Sequence, residues 1–112
     1  EDLSLVETHD CFTIAELIQY EAMGLAAPGK GAQVLADGTV YKDGKLPVNP
    51  SGGLKAKGHP VGATGVSMHV MAARQLMNEA DEMQVKDAKL AGIFNMGGAA
   101  VANYLSILER VK

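Results

Sequence analysis

The chain has one cysteine, no tryptophan, three tyrosines and two phenylalanines in 112 residues. A single thiol, Cys11, excludes an internal disulfide framework and suits a reducing compartment. So few aromatic side chains offer no base-stacking platform for single-stranded nucleic acid. Neither sign of charge dominates: ten Lys plus Arg stand against thirteen Asp plus Glu, a formal net charge of -3 with both signs spread along the chain. That balance excludes a nucleic-acid surface or a polybasic membrane surface as the main function. Long apolar runs are also missing. The longest, from Leu90 to Leu108, is interrupted by Asn95, Asn103, Ser106 and the Gly97-Gly98 pair, so no bilayer span is expected. The acidic start, Glu1-Asp2, is unlike a secretory signal, and the end, Val111-Lys112, is not the Ser-Lys-Leu address of a peroxisomal protein. A cytoplasmic protein is the expectation. The abrupt opening just before a strand-like run suggests a piece of a longer polypeptide.

What is present suffices for one globular domain. Hydrophobic residues make up 47%, and a chain of this length buries roughly two thirds of its unfolded surface, so neither disulfides nor a structural metal are needed for folding. Residues Leu3 to Thr8 read as a short strand. A helix is expected from Thr13, where Thr13 and Glu16 have capping-box spacing and Phe12 and Leu17 occupy staple positions, and Gly24 should end it. Its apolar stripe, Ile14, Leu17, Ile18, Ala22 and Leu25, calls for a sheet to cover it. From Ala26 to Asn49 the texture suggests an excursion of short β-like pieces with turns at Asp37-Gly38 and Asp43-Gly44. Residues 49 to 65 hold five glycines and two prolines, which predicts a shaped loop. Val66 to Asn78 reads as a helix apolar almost all round, hence buried between layers. After a polar segment, Leu90 to Phe94 and Val101 to Leu108 read as two strands of a hairpin turning at Gly97-Gly98-Ala99.

Three clusters could carry chemistry. His9-Asp10-Cys11-Phe12 falls where a strand gives way to a helix, a junction at which α/β folds meet ligands. An imidazole and a thiol two residues apart there could exchange protons near neutral pH; equally, Cys11 could be a small buried hydrophobe beside a strand-end histidine. Gly53 and Gly58 have the glycine spacing of a P-loop, but His59 and Pro60 stand where Lys and Ser or Thr would hold phosphate and magnesium, which rules that site out. What remains is an imidazole between Gly58 and Pro60, immediately before a buried helix. Phe94-Asn95-Met96-Gly97-Gly98 ends another strand, where a glycine N–H could face an oxyanion or simply make a turn. His69 lacks a spaced partner and reads as a packed or half-exposed histidine, and the methionines read as core. His9, Asp10, Cys11 and His59 have no paired-ligand spacing, so no metal is expected.

In order along the chain, these clusters resemble the C-terminal half of a thiolase, most closely the sterol-carrier-protein-type and archaeal-like branch. The match is carried by His9-Asp10-Cys11-Phe12, by Asn49-Pro50-Ser51-Gly52-Gly53 running into Gly58-His59-Pro60-Val61-Gly62-Ala63-Thr64-Gly65, and by Asn95-Met96-Gly97-Gly98. It spans essentially all of residues 1–112. The resemblance implies a layered α/β fold: a C-terminal half with a mixed sheet and a central helix sandwiched against a related N-terminal half. The implied activity is acyl-CoA acyl transfer, either thiolytic cleavage of a 3-ketoacyl-CoA or the reverse Claisen condensation, with coenzyme A as substrate and no tightly bound cofactor. The acyl-carrying cysteine of such enzymes lies in the N-terminal half, so the chain alone should be inactive, with that half as its partner in a homo-oligomeric enzyme.

Residue by residue, the resemblance implies that His59 activates the nucleophile and joins His9 in an oxyanion hole for the enolate. Cys11 takes over proton shuttling from a cysteine that other thiolases carry where this chain has Asn95. Gly97 lends its N–H to a second oxyanion hole, and Gly58, Pro60 and Asn95 shape the substrate loops. An alternative stays open: a non-catalytic or repurposed thiolase-like subunit binding acyl-CoA or a partner protein.

Overall fold

The computed structural model describes residues 2–111; Glu1 and Lys112, used above for the chain's ends, lie outside them. The fold is mixed α/β. Strand β1 (Leu5–Thr8) leads into helix α1 (Thr13–Ala22), followed by α2 (Gly31–Ala36), α3 (Gly53–Lys57), α4 (Thr64–Leu76), a 3-10 turn at Asp81–Met83, and strands β2 (Leu90–Gly97) and β3 (Ala102–Glu109). The sheet order is β1-β2-β3, with β1 parallel to β2 and β2 antiparallel to β3. The sheet is therefore mixed, as expected.

All four residues of β1 are buried, because both faces of that strand are covered. On one side Leu5 joins Ala91 and Ile93 of β2 with Met68, Ala72 and Leu76 of α4 in one core. On the other, Val6 joins Tyr20, Val34, Val40 and Val48 in a second. The parallel register sets Thr8 beside Phe94, so the strands' carboxyl ends lie side by side, and His9 and Asn95 follow together. That end is where open α/β sheets place ligands.

Five expectations change. Helix α1 has no side-chain cap: Phe12 is the N-cap residue, so Thr13 is already helical. Glu16 instead accepts the Tyr20 hydroxyl at 2.5 Å and pairs with Lys55, while Phe12 is largely exposed, leaving no staple with Leu17. Nor does the apolar stripe decide how α1 docks. Ile14 and Ile18 are exposed; Gln19 and Tyr20 are the buried residues, with Gln19 bonded to the Thr8 hydroxyl and donating to the His9 carbonyl at 2.8 Å. Gly24, at φ 76°, closes the helix as expected, with Leu25 N–H reaching the Tyr20 carbonyl.

The excursion folds as α2, with only an isolated bridge between Val6 and Val48 in place of β-like pieces. The glycine-rich loop likewise contains a short helix, α3. Finally, α4 is buried on one side only. Met68, Ala72 and Leu76 pack on the sheet and Gln75 bonds Met83 and Val85, while Val66, Val70 and Met77 are exposed, because no element among the described residues packs over that face. The half-buried His69 ties α4 to β3: its Nδ1–H donates to the Gly65 carbonyl at 2.7 Å and the Ser106 hydroxyl donates to its Nε2 at 3.0 Å.

Candidate active site

The carboxyl ends of β1 and β2 and the loop entering α4 form a cleft of about 300 Å³ whose lining includes His9, His59, Pro60, Thr64, Gly65 and Asn95. His9 and His59, fifty residues apart in sequence, meet here. Their ring centroids are 4.8 Å apart and the rings are nearly perpendicular, at 86°. His9 is only 5% exposed, whereas His59 is open to solvent.

Each ring is held through Nδ1. His9 Nδ1–H donates to Asn95 Oδ1 at 2.6 Å. The Thr64 hydroxyl gives its proton to the Pro60 carbonyl at 3.1 Å and so accepts from His59 Nδ1–H at 2.7 Å. In both rings Nε2 is left as the free nitrogen, available as a base when neutral and as a donor when protonated. Gly65 makes room for this arrangement: a Cβ there would lie 2.8 Å from the Asn95 amide nitrogen. Thr64 and Gly65 were in the quoted motif but without a role. A hydroxyl five residues after a histidine, at a helix start, is the signal that marks Thr64.

The other expected site residues are placed as follows. Gly58 ends α3 at φ 107°, a conformation suited to glycine, and turns the chain toward His59. Gly97 ends β2, opposite Ala102, outside the cleft lining. Cys11 is also outside it: the thiol is partly buried and packs against the core that contains Leu5, Leu54 and Met68. The two imidazoles and Asn95 are thus brought together, and the thiol and Gly97 are not among them. Among the described residues no group of three or more His, Cys, Asp or Glu could hold a metal ion.

Helix α3 carries two lysines, Lys55 and Lys57. Burial works to lower the Lys55 ammonium, but its hydrogen bond to Glu16 and the charges of Glu16 and Asp10 outweigh this and hold it above its ordinary value. A second cleft, of about 260 Å³, lies on the α1 side of the sheet among Leu3, Val6, Met23, Phe94, Leu105 and Ile107. It has no titratable lining group.

A family model described as thiolase C-terminal domain-like matches residues 1–110. The chain belongs to that family. This thiolase-type domain is 42% identical over 109 residues to an acetyl-CoA acetyltransferase of Methanothermobacter thermautotrophicus, covering 97% of the chain and 28% of the relative. It is 46% identical over 101 residues to human sterol carrier protein 2, 89% of the chain and 18% of that protein. Against the benzoylsuccinyl-CoA thiolase subunit BbsB of Thauera aromatica it is 39% identical over 98 residues, 88% and 26%. Among solved structures, a chain of an Ltp2-ChsH2(DUF35) aldolase superposes with a TM-score of 0.82 at 26% identity, covering 97% of this chain and 27% of that one. The domain thus spans less than a third of the length of these relatives. No helix among the described residues is long and apolar enough to cross a membrane.

Proposed function

We propose that this domain is the acid-base and oxyanion-binding half of an acyl-CoA acyltransferase of the thiolase type, completed by an N-terminal half that carries the nucleophilic cysteine. The observation that carries this reading is the His9–His59 pair, held by Asn95 and Thr64 at the strands' carboxyl ends. Two free Nε2 atoms in one cleft suit a reaction that must remove a proton and stabilise the negative charge that develops. His59, the more exposed ring, takes the proton from the nucleophilic thiol. Now protonated, it then donates through Nε2–H to the thioester oxygen as the enolate forms, with His9 beside it in the same oxyanion hole. Coenzyme A and its acyl thioesters are the substrates, with no tightly bound cofactor, in a cytoplasmic homo-oligomer.

Cys11 is proposed as the proton shuttle at the substrate α-carbon, supported by its place two residues after His9 at the β1–α1 junction and its partial exposure. Asn95 cannot shuttle protons; its amide holds His9 instead. Gly97 is proposed to line the oxyanion hole of the acyl-enzyme step, and Gly58, Pro60 and Asn95 to shape the substrate loops.

The decisive experiment mixes the chain with a complementary N-terminal thiolase half and follows acetoacetyl-CoA thiolysis. Activity should appear only in the mixture and fall on His59→Ala by about 10²- to 10⁴-fold, the usual contribution of a general acid-base. Activity indifferent to both His59→Ala and Cys11→Ala would refute the reading.

One observation favours a second reading, a repurposed subunit that binds acyl-CoA or a partner protein without turnover: the thiol packs against the core and does not line the cleft. Under that reading the mixture binds acyl-CoA and cleaves nothing.

A further inference from the structure

Two buried carboxylates flank His9 on its own chain segment, and neither lines the cleft. Glu7 is fully buried and Asp10 is 2% exposed. Each reaches across to α3. Glu7 accepts from the Ser51 hydroxyl at 2.6 Å and from Lys57 Nζ at 3.2 Å, while Lys57 Nζ also donates to Ser51 Oγ at 3.0 Å. Asp10 accepts Leu54 N–H at 2.6 Å, and Lys55 Nζ stands 3.7 Å from its other oxygen.

Helix α3 has five residues, too few to hold its shape alone. Its start is pressed onto Asp10 so closely that a Cβ on Gly53 would fall within the carboxylate. Its last residue, Lys57, is the Glu7 partner, and His59 follows two residues later. Breaking a buried ion pair by deleting one member leaves an uncompensated charge, so α3 cannot drift from either anchor without cost.

We propose that Glu7 and Asp10 are positioning residues: they hold α3 at its two ends and thereby set the distance of His59 from His9. His9 stands between them, so a single four-residue stretch, Glu7-Thr8-His9-Asp10, carries one imidazole and both anchors for the loop that brings the other. The kinetic consequence rests on the thiolase reading; the geometric one does not.

The experiment uses the chain combined with a complementary N-terminal thiolase half. It compares wild type with Lys57→Met, Ser51→Ala and the pair Glu7→Gln/Lys57→Met. The readouts are kcat, KM and the nuclear Overhauser effect between the ring protons of His9 and His59. Lys57→Met should weaken or abolish the inter-ring signal and lower kcat on the order of 10²-fold, the effect of misplacing a catalytic group by about 1 Å, with KM unchanged. The double variant should recover part of both, because a neutral amide needs no cation. A purely structural role would lower the melting temperature but leave kcat per folded molecule and the ring contact intact, and that result overturns the proposal. Should Lys57→Met fail to fold, Ser51→Ala removes one hydroxyl and carries the same test. A wild type with no thiolysis sinks the thiolase reading, while the ring contact still decides the positioning role.

Discussion

Asn95, which stands where the resemblance implies a cysteine in other thiolases, accepts from His9 Nδ1–H through its amide oxygen at 2.6 Å. The residue that looked like a loss in the sequence is the one that orients an imidazole. Asn95→Ala should therefore lower kcat by more than it raises KM, since its side-chain hydrogen bond goes to His9. Gly65→Ala should have the same effect from the other side, as its Cβ would crowd the Asn95 amide. The two changes combined should cost less than their sum, which a double-mutant cycle on kcat/KM would show. His9, His59 and Asn95 were legible because motif chemistry names them. Ser51 and Lys57 were not, because their partners are set by the path of the loop. Glu7 pairs with a lysine fifty residues away; a carboxylate inside an otherwise buried strand is the only local hint of it.

Among the elements, α1 shows how periodicity misleads. Of its apolar stripe Leu17 and Leu25 pack on the core while Ile14 and Ile18 stay exposed, because two side-chain hydrogen bonds between Gln19 and the β1 end, together with burial of Tyr20, turn the helix. Burial and the Glu16 carboxylate push the Tyr20 phenol well above its ordinary value. At the far end of α1, Glu21 accepts Gly31 N–H at 2.9 Å and so ties α1 to the start of α2. Backbone hydrogen bonds from Gly29 and Gly31 hold its carboxyl below the ordinary 4.5. A carboxyl lowered on folding stabilises above its unfolded value, and that contribution disappears as pH falls through the folded value. An NMR titration of the Glu21 carboxyl carbon should show a midpoint below 4.5, and Gly31→Ala, whose Cβ would strike the Leu17 carbonyl, should move it back up. Strand and helix order were readable from hydrophobic spacing; α2 was not, because its six residues are too few for a helical period to show. In the α4 layer, Met68 is fully buried against β1 and β2, and Met68→Ala should cost about 2–5 kcal/mol in denaturant unfolding.

At the scale of the whole molecule, the sheet and helices leave apolar side chains uncovered on three elements: Phe12, Ile14 and Ile18 near α1, Val66 and Val70 on α4, and Leu105 and Ile107 on β3. Exposed apolar area of this kind marks an interaction surface or an aggregation liability. The chain by itself should bind a hydrophobic dye and self-associate in sedimentation, and both signals should drop when an N-terminal thiolase half is added. The measurement that tests the central claim most directly is thiolysis by that mixture with wild type, His9→Ala and His59→Ala compared at matched folded fraction. The account predicts activity in the wild-type mixture that falls about 10²- to 10⁴-fold when either imidazole is removed. Equal rates for all three, or no activity with wild type in a complex that has demonstrably formed, would contradict it.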